Sequence, residues 1–460
     1  MRKKLLAGVM ALALCSTNMP LQTIFAGEFT SGNLEEVSEE TPEIFSDDNQ
    51  EVIEETEEEL SVFSSENVPE FSSEVNIMSA TADETEPIGI DMNDITNLNY
   101  YDSSKGIWKI TSAGSYRFNG TGNNDAPILI DHIDSGTVKV YLNNVNIHSA
   151  DRTPPLRITN TVHADVYIYL ESSNLLQSTY INSAALQIDG TTKLIIDNSP
   201  GTNGSLTANS SKHGTGIGSS GNSDLSPAFH IIIKGGAVTA SSFRSMGIGG
   251  NNSNITIKGG LVKVSSDQWC AIGGTKSNIT IDGGSVKASS RTHFGIKSSS
   301  LTINGGSVTA SSEEEPKEDI SSNQIIINGG SVKASSVSSS PTNDHGEKVY
   351  CCTIENLNSK KVIIDQNLKP WEPNNHQAVN PTDTNLYAWL TGEDHIVNVG
   401  TERRSYIFDS EDSESGTFSN TKRNATSDIF EFKGPRNFIY NGSSQTPSIT
   451  VNDTIKGVVN

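Results

Sequence analysis

The residues best placed to do chemistry fall into two rows that recur through the middle of the chain. The first is Thr239, Lys263, Lys287, Thr309 and Lys333, one residue at the same place in each of five similar strings. A line of ammonium groups can pair with a polyanion laid along it, although lysines on an open sheet face also serve to keep sheets from associating. The second row is Ser245, Trp269 and His293, with Arg244 and Arg291 beside it. An outward Trp offers a flat apolar face and an N–H donor to a ligand. Its other use is to fold over a neighbouring turn of chain and cover it.

Catalytic chemistry has less to build on. Hydrolysis of a glycosidic bond needs two carboxylates flanking that bond. Asp267 and Asp282 are the main acids of the regular region, and they are not on equivalent rows. A lyase would need Lys or Arg as base beside carboxylates that hold calcium. Calcium takes six to eight oxygen ligands, several of them anionic, and two acids a turn apart do not supply them. His213, His230, His293 and His345 are scattered, with no two at metal-ligand spacing. Glycine strings such as Gly247-Ile248-Gly249-Gly250 lack the following helix that a phosphate loop requires. No catalytic residue is assigned.

The elements that must position the two rows follow from a repeat. Glycine pairs fall at 235/236, 259/260, 283/284, 305/306 and 329/330, with spacings of 24, 24, 22 and 24. The strings around them read IIIKGGAVTASS, ITIKGGLVKVSS, ITIDGGSVKASS, LTINGGSVTASS and IIINGGSVKASS. A period in the twenties built from short β-type strings is the signature of a solenoid. Alternation assigns the faces, because successive strand side chains point to opposite sides. Ile255 and Ile257 point in and Thr256 points out, and Ile279/Ile281 and Leu301/Ile303 repeat this. Val238, Val262, Val286, Val308 and Val332 form an inward row; Ala240, Val264, Ala288, Ala310 and Ala334 form another; Ile217, Ile248, Ile272 and Ile296 form a third. Each coil of about 24 residues thus supplies three short strands. The glycine pairs mark sharp corners. A ladder of Ser241, Ser265, Ser289, Ser311 and Ser335 is expected to bond along the stack or to turn backbone.

The residues before the first glycine pair carry the same pattern with longer turns: Ile128, Leu156, Leu186, Ile217 and Ile248 are spaced 28, 30, 31 and 31. The expected fold is therefore all-β, a right-handed parallel β-helix whose coils run over roughly 115–365. Residues 97–125, with Trp108, Tyr116 and Phe118, are expected to cap its open first edge.

The flanks read differently. Met1-Arg2-Lys3-Lys4, an apolar run from Leu5 to Leu14 and a cut after Ala26 form a secretory signal peptide over 1–26. No second apolar run reaches membrane length. The expected location is therefore secreted or attached to the cell surface. Residues 27–96 hold 22 Asp and Glu and no Lys or Arg, the composition of a disordered acidic linker. Residues 97–460 then carry 33 acidic and 29 basic residues, so the net charge of -23 belongs to the linker. Nothing concentrates basic charge as nucleic-acid binding requires. Cys15 lies in the signal, and Cys270, Cys351 and Cys352 do not form a disulfide framework. After a β-helix domain of 97–365, residues 366–434 read as a small β segment that caps or follows it. Residues 435–460, with FIYNGSSQTPSITV from Phe438, look like the start of a bacterial immunoglobulin-like repeat. Such a sandwich needs several more strands, so the chain is expected to be a fragment.

One stretch adds a resemblance. GIWKITSAGSYRFNGTGNNDAPILID over 106–131, followed by VKVYLNNVNIHS, PPLRITN, VYIYLESSN and LIIDNS, resembles the carbohydrate-binding β-helix domain of surface proteins from Gram-positive anaerobes. That family is related in fold to pectin-type polysaccharide lyases, and the likeness covers about 100–340. The resemblance implies a right-handed parallel β-helix that binds acidic or cellulosic polysaccharide, with calcium in some members. Calcium-associated members carry Asp-Gly-Ile in the repeated turn. Here Thr215, Met246, Cys270 and Phe294 stand where that aspartate would be, which leaves calcium open. Three functional readings follow: an exported, non-catalytic carbohydrate-binding or adhesive protein, a polysaccharide lyase on the same fold, and a spacer stalk. The absence of a convergent carboxylate and base cluster favours the first, with Trp269, His293, Arg291, Arg244, Lys263, Lys287 and Lys333 as its binding residues.

Overall fold

A computed structural model describes residues 86–120, 125–221, 228–314, 318–358, 360–365, 384–409 and 416–421, and the strands Phe430–Lys433 and Ser448–Val451. The signal peptide, residues 27–85 of the acidic segment, and the immunoglobulin-like stretch apart from Ser448–Val451 lie outside the described residues. The chain divides into two units, and residues 85–422 make up one of them. In the other, Phe430–Lys433 pairs antiparallel with Ser448–Val451.

The unit of residues 85–422 is a parallel β-solenoid followed by a smaller antiparallel part. One regular coil shows how the sequence builds it. Ile248–Gly249, Ser253–Ile257 and Leu261–Ser266 are its three strands. In the second, Ile255 and Ile257 are buried while Asn254 and Thr256 are partly exposed, as the alternation requires. Between the second and third strands the chain turns at Gly259-Gly260. Gly260 has φ +82°, and a Cβ there would lie 2.5 Å from the carbonyl oxygen of Gly236 in the coil before. The corner needs glycine for both its backbone angle and its close stacking.

Equivalent strands pair in parallel and in register, forming three stacks. The inner row of the first runs Trp108, Ile128, Leu156, Leu186, Ile217, Ile248, Ile272, Ile296 and Ile320. A row of the second runs from Tyr116 through Val140, Ile168, Ile196, Ile233, Ile257, Ile281 and Ile303 to Ile327. The third carries the expected valine row, Val238 to Val332. Each fully buried Ile or Val contributes about 1.5–3 kcal/mol by leaving water, so the rows form one continuous core.

The stack extends further at its start than the expected cap allows. Ile88–Asp91 already pairs in parallel with Tyr116–Asn119, although it falls within the stretch read as linker. The first part of 97–125 caps the edge as expected, since Tyr101–Asp102 pairs antiparallel with residues 107–108 and Tyr100 and Tyr101 pack on the core, but the later part belongs to the stack itself. Ile107–Ile110 and Gly114–Asn119 are rungs, and Trp108, Tyr116 and Phe118 are fully buried inside the first coils. The acidic residues before Ile88 hide this strand, because only Ile90 of its four residues points inward.

Parallel pairing ends earlier than residue 365. Its last bridge joins Ile326 to Thr342. The chain then reverses through a turn in which Asn343 Oδ1 accepts from the His345 and Glu347 N–H groups. Val349–Ile354 pairs antiparallel with Leu386–Thr391, and Val362–Ile364 with His395–Val399. The alternation in VYCCTI reads like another rung, but no glycine-pair corner precedes it. Leu386–Thr391 lies against the final coil: Trp389 donates its indole N–H to the Val332 carbonyl at 3.0 Å, and Tyr387 its amide to Ser331 Oγ at 3.1 Å. The open last edge of the solenoid is thereby covered.

The serine ladder also differs. The second serine of the 241/242, 265/266 and 289/290 pairs turns inward. Ser242, Ser266 and Ser290 donate to the carbonyls of Gly214, Ser245 and Trp269, and accept from the amides of Ser245, Trp269 and His293. These hydroxyls satisfy corner backbone that would otherwise be buried unpaired. The first serines, Ser241, Ser265, Ser289 and Ser311, stand on the outer face in register.

Candidate functional site

The early coils put an aromatic surface on the outside of the second stack. Thr137–Asn143 and Asp165–Leu170 bury Val138, Val140, Leu142, Val166, Ile168 and Leu170, so the residues between them must point out. Tyr141, Tyr167 and Tyr169 therefore meet on one face. Register sets Tyr141 beside Tyr169, with ring centroids 4.9 Å apart and 21° between planes. Tyr167 and Tyr169, two residues apart on one strand, stack at 5.9 Å and 15°. Cations close both ends of the stack. The Arg117 guanidinium lies 5.4 Å from the Tyr141 centroid, and Lys234 Nζ lies 5.6 Å from that of Tyr167. The faces of the rings are thus occupied by one another and by cations, an arrangement their electron-rich faces favour. All three tyrosines remain partly exposed.

Polar groups brace this surface. Glu171 accepts from Arg117 Nε and Nη2 at 3.0–3.2 Å, and Ser199 Oγ also bonds it at 3.3 Å. Lys193 donates to Asp165 at 2.9 Å. Partial burial pushes the Tyr169 phenol above its ordinary pKa, so it stays a neutral hydroxyl, able to donate and accept.

The tyrosines of this surface fall in a stretch that matches a family model. Residues 104–192 match the family model of a carbohydrate-binding domain-containing protein. Residues 301–312 match a beta helix repeat. No curated protein and no solved structure matches the chain. The stretch similar to the carbohydrate-binding family contains Arg117, Tyr141, Tyr167, Tyr169 and Glu171, whereas both rows chosen from the sequence lie beyond it.

The same stretch holds a polar corner at the end of the first stack. Asp131 accepts from Thr159 Oγ1 at 2.8 Å and Thr161 Oγ1 at 2.9 Å, and lies 2.7 Å from His132 Nδ1 and 3.3 Å from Lys109 Nζ. Burial alone would raise its pKa. The bonds from Thr159, Thr161, His132 and Lys109 outweigh burial and hold the carboxyl well below its usual range. Asp189 is tied to Arg157 at 2.6 Å and Gln187 at 2.7 Å. These carboxylates already have donors from the protein. Among the described residues, no three His, Cys, Asp or Glu side chains gather as a metal-binding group.

The lysine row stands as expected. Thr239, Lys263, Lys287, Thr309 and Lys333 pair in sequence along the third stack, and its three lysines are exposed. Lys333 differs from the other two, since its ammonium lies 5.3 Å from the Tyr387 centroid in the covering strand.

The tryptophan row is arranged otherwise. Ser245 is fully buried, not outward, because its amide bonds the inward Ser242. Trp269 is half-buried and leans on His293, with centroids 5.0 Å apart. Its indole N–H is buried without a hydrogen-bond partner, so it does not face a ligand. Arg291 is held by Asp267 at 2.6 and 3.0 Å and by Glu314 at 2.7 Å. Arg244 lies over the Phe243 ring and 3.4 Å from His213 Nε2. Burial, and then the charge of Lys297, lower the His293 pKa and keep that ring neutral. Trp269 and His293 meet as expected, but as a cover for the coil corner.

Cys270 is buried and free, and burial pushes its thiol up to about 12. Cys351 and Cys352 are also free.

A signal for the tyrosines is present in the sequence, though residue type alone does not single them out. VKVYL and DVYIYL alternate strictly, and Tyr141 and Tyr169 sit 28 residues apart, the spacing of Ile128 and Leu156.

Proposed function

We propose that the chain is an exported, non-catalytic β-helix that binds polysaccharide through the tyrosine face of its early coils. The observation that carries this reading is the stack of Tyr141, Tyr169 and Tyr167, closed by Arg117 and Lys234, on coils similar to a carbohydrate-binding family. Phenol hydroxyls exchange hydrogen bonds with sugar hydroxyls, and ring edges add apolar contact. Lys139, next to Tyr167 in register, adds positive charge to this face, which suits glycans bearing carboxylates. Export rests on the signal-like first 26 residues. The non-catalytic reading is supported by Asp131 and Asp189, whose oxygens already take hydrogen bonds from the protein.

Affinity electrophoresis of the purified chain against neutral and acidic glycans tests the reading. Retardation by at least one glycan, weakened in Tyr169→Ala, is the expected result. Equal retardation of both proteins by every glycan sinks the tyrosine assignment. Release of unsaturated sugar from polygalacturonate by purified protein sinks the non-catalytic one.

A further inference from the structure

A shallow groove crosses the corner of the third stack, outside the stretch similar to the carbohydrate-binding family. Three rows of three residues line it, the middle one being the inward serines that include Ser242 and Ser266. Asn209, Ser241 and Ser265 occupy equivalent outward places on successive rungs. Ser211, Phe243 and Asp267 lie two residues further on, just past the end of each strand.

The chemistry of this lining is uncharged. The charge of Asp267 is balanced by Arg291, which grips both of its oxygens. Ser241 Oγ donates to Asn209 Oδ1 at 2.8 Å, which leaves the Asn209 NH2 to donate and Ser241 to accept. Ser265 is exposed. Phe243 is 42% exposed, a large aromatic left at the groove although the coils beneath are filled with buried aliphatics. Arg244 covers it from 5.6 Å, and one guanidinium covers only one face of a ring.

From these features we infer that the groove is a second glycan site, one that takes an uncharged, linear hexose chain lying along the solenoid axis. Successive rungs are about 4.8 Å apart, close to the advance of one residue in an extended sugar chain. Each sugar unit then meets one member of the Asn209–Ser241–Ser265 row through its hydroxyls, and one unit rests its C–H face on Phe243. The lining itself holds no Lys or Arg, and its one carboxylate is already paired, which suits a neutral chain. This site extends the polysaccharide reading but shares no residue with the tyrosine surface.

Calorimetric titration of the full chain with cellohexaose and mannohexaose tests it. Saturable binding of at least one is expected, with affinity lowered about tenfold in Phe243→Ala and unchanged in Tyr169→Ala. Ser265→Arg is the second variant. It fills the groove from an exposed position and leaves the core intact, so it should reduce binding while the melting temperature holds. Three results overturn the inference: neither sugar binds, both groove variants bind like the parent, or binding is lost in Tyr169→Ala alone. The last result leaves the tyrosine reading standing. Loss in the groove variants with none in Tyr169→Ala upholds the groove and removes the tyrosine face as the site for neutral chains.

Discussion

In the coils over 229–333 the glycine pairs recur every 22–24 residues, and each pair ends in a glycine of φ +79 to +85°. In the coils over 128–217 the interval stretches to 28–31 residues, and Asn144 and Asn182 supply positive φ where no glycine pair stands. The interiors do not differ in the same way, since one isoleucine and valine row passes through both regions in register. Each inner position is fixed by its neighbours above and below, while turn length and outward residues are free to vary. The regular coils spend that freedom on serine, threonine and lysine. The early coils hold the tyrosine stack and the Asp131 corner. The part of the repeat that is easiest to see is chemically the plainest.

Interior substitutions give the largest test of this contrast. Ile168 and Ile257 occupy one row, in an early coil and a regular coil. Each change to alanine should cost about 2–5 kcal/mol by cavity formation, measured by urea unfolding. A much smaller loss for Ile168→Ala would break the claim that the interiors are alike. Corners come next. Gly260→Ala combines positive φ with a near contact to the coil before, and should cost about 2–3 kcal/mol. Asn144→Gly should stay within about 0.5 kcal/mol, because asparagine tolerates that conformation and glycine prefers it.

Ligand binding sharpens the contrast further. Tyr169→Ala should lower affinity for carboxylate-bearing glycans about tenfold, near 1.4 kcal/mol. Lys287→Ala, on the plain face of the third stack, should change it by less than about twofold. The reverse order of effects would return the binding site to the lysine row.

The smallest effect concerns pH and the antiparallel part. His395 is buried between Asp365 Oδ2 at 2.5 Å and the Thr391 carbonyl at 3.0 Å. An acceptor at each nitrogen favours the doubly protonated ring. Burial alone would lower its pKa, but the bonds to Asp365 and Thr391 and the charges of Asp365 and Glu393 raise it. Asp365 moves the other way: burial opposes the shift, while His395 and the Ile396 amide lower it. The histidine's contribution is therefore complete below the unfolded value of about 6.5 and is lost as pH rises through the higher folded value. The aspartate's contribution is lost as pH falls through its depressed one. Hydrogen exchange of residues 386–399 should accelerate on the alkaline side, and His395→Gln should flatten that profile. An unchanged profile in the variant would remove His395 as its source.

Most of the fold is legible in the sequence, because alternation and glycine pairs are local signals that repeat. Val262 and Ile272 follow from parity alone. Ile88–Asp91 does not stand out, since one inward isoleucine in an acidic stretch carries no periodicity. The reversal at 343–347 is equally hidden, because the direction of the next strand depends on which edge remains open. The candidate site is harder to read for a related reason. Parity fixes the side of the strand on which Trp269 stands, but the ring's contact with His293 and its buried N–H depend on packing between coils. Pairing of Arg291 with Asp267 and Glu314 likewise joins three coils, where sequence distance gives no warning.

The covering strand Leu386–Thr391 touches the solenoid at its final rung, through Ser331 and Val332, and the tyrosine face lies far upstream among the first coils. Nothing at either end counts the rungs between them. Whole coils such as 261–284 can then be removed or duplicated as cassettes, each altering the length by one rung of about 4.8 Å. The length of the stack is thus set by copy number, while the tyrosine face and the covering strand keep their own contacts.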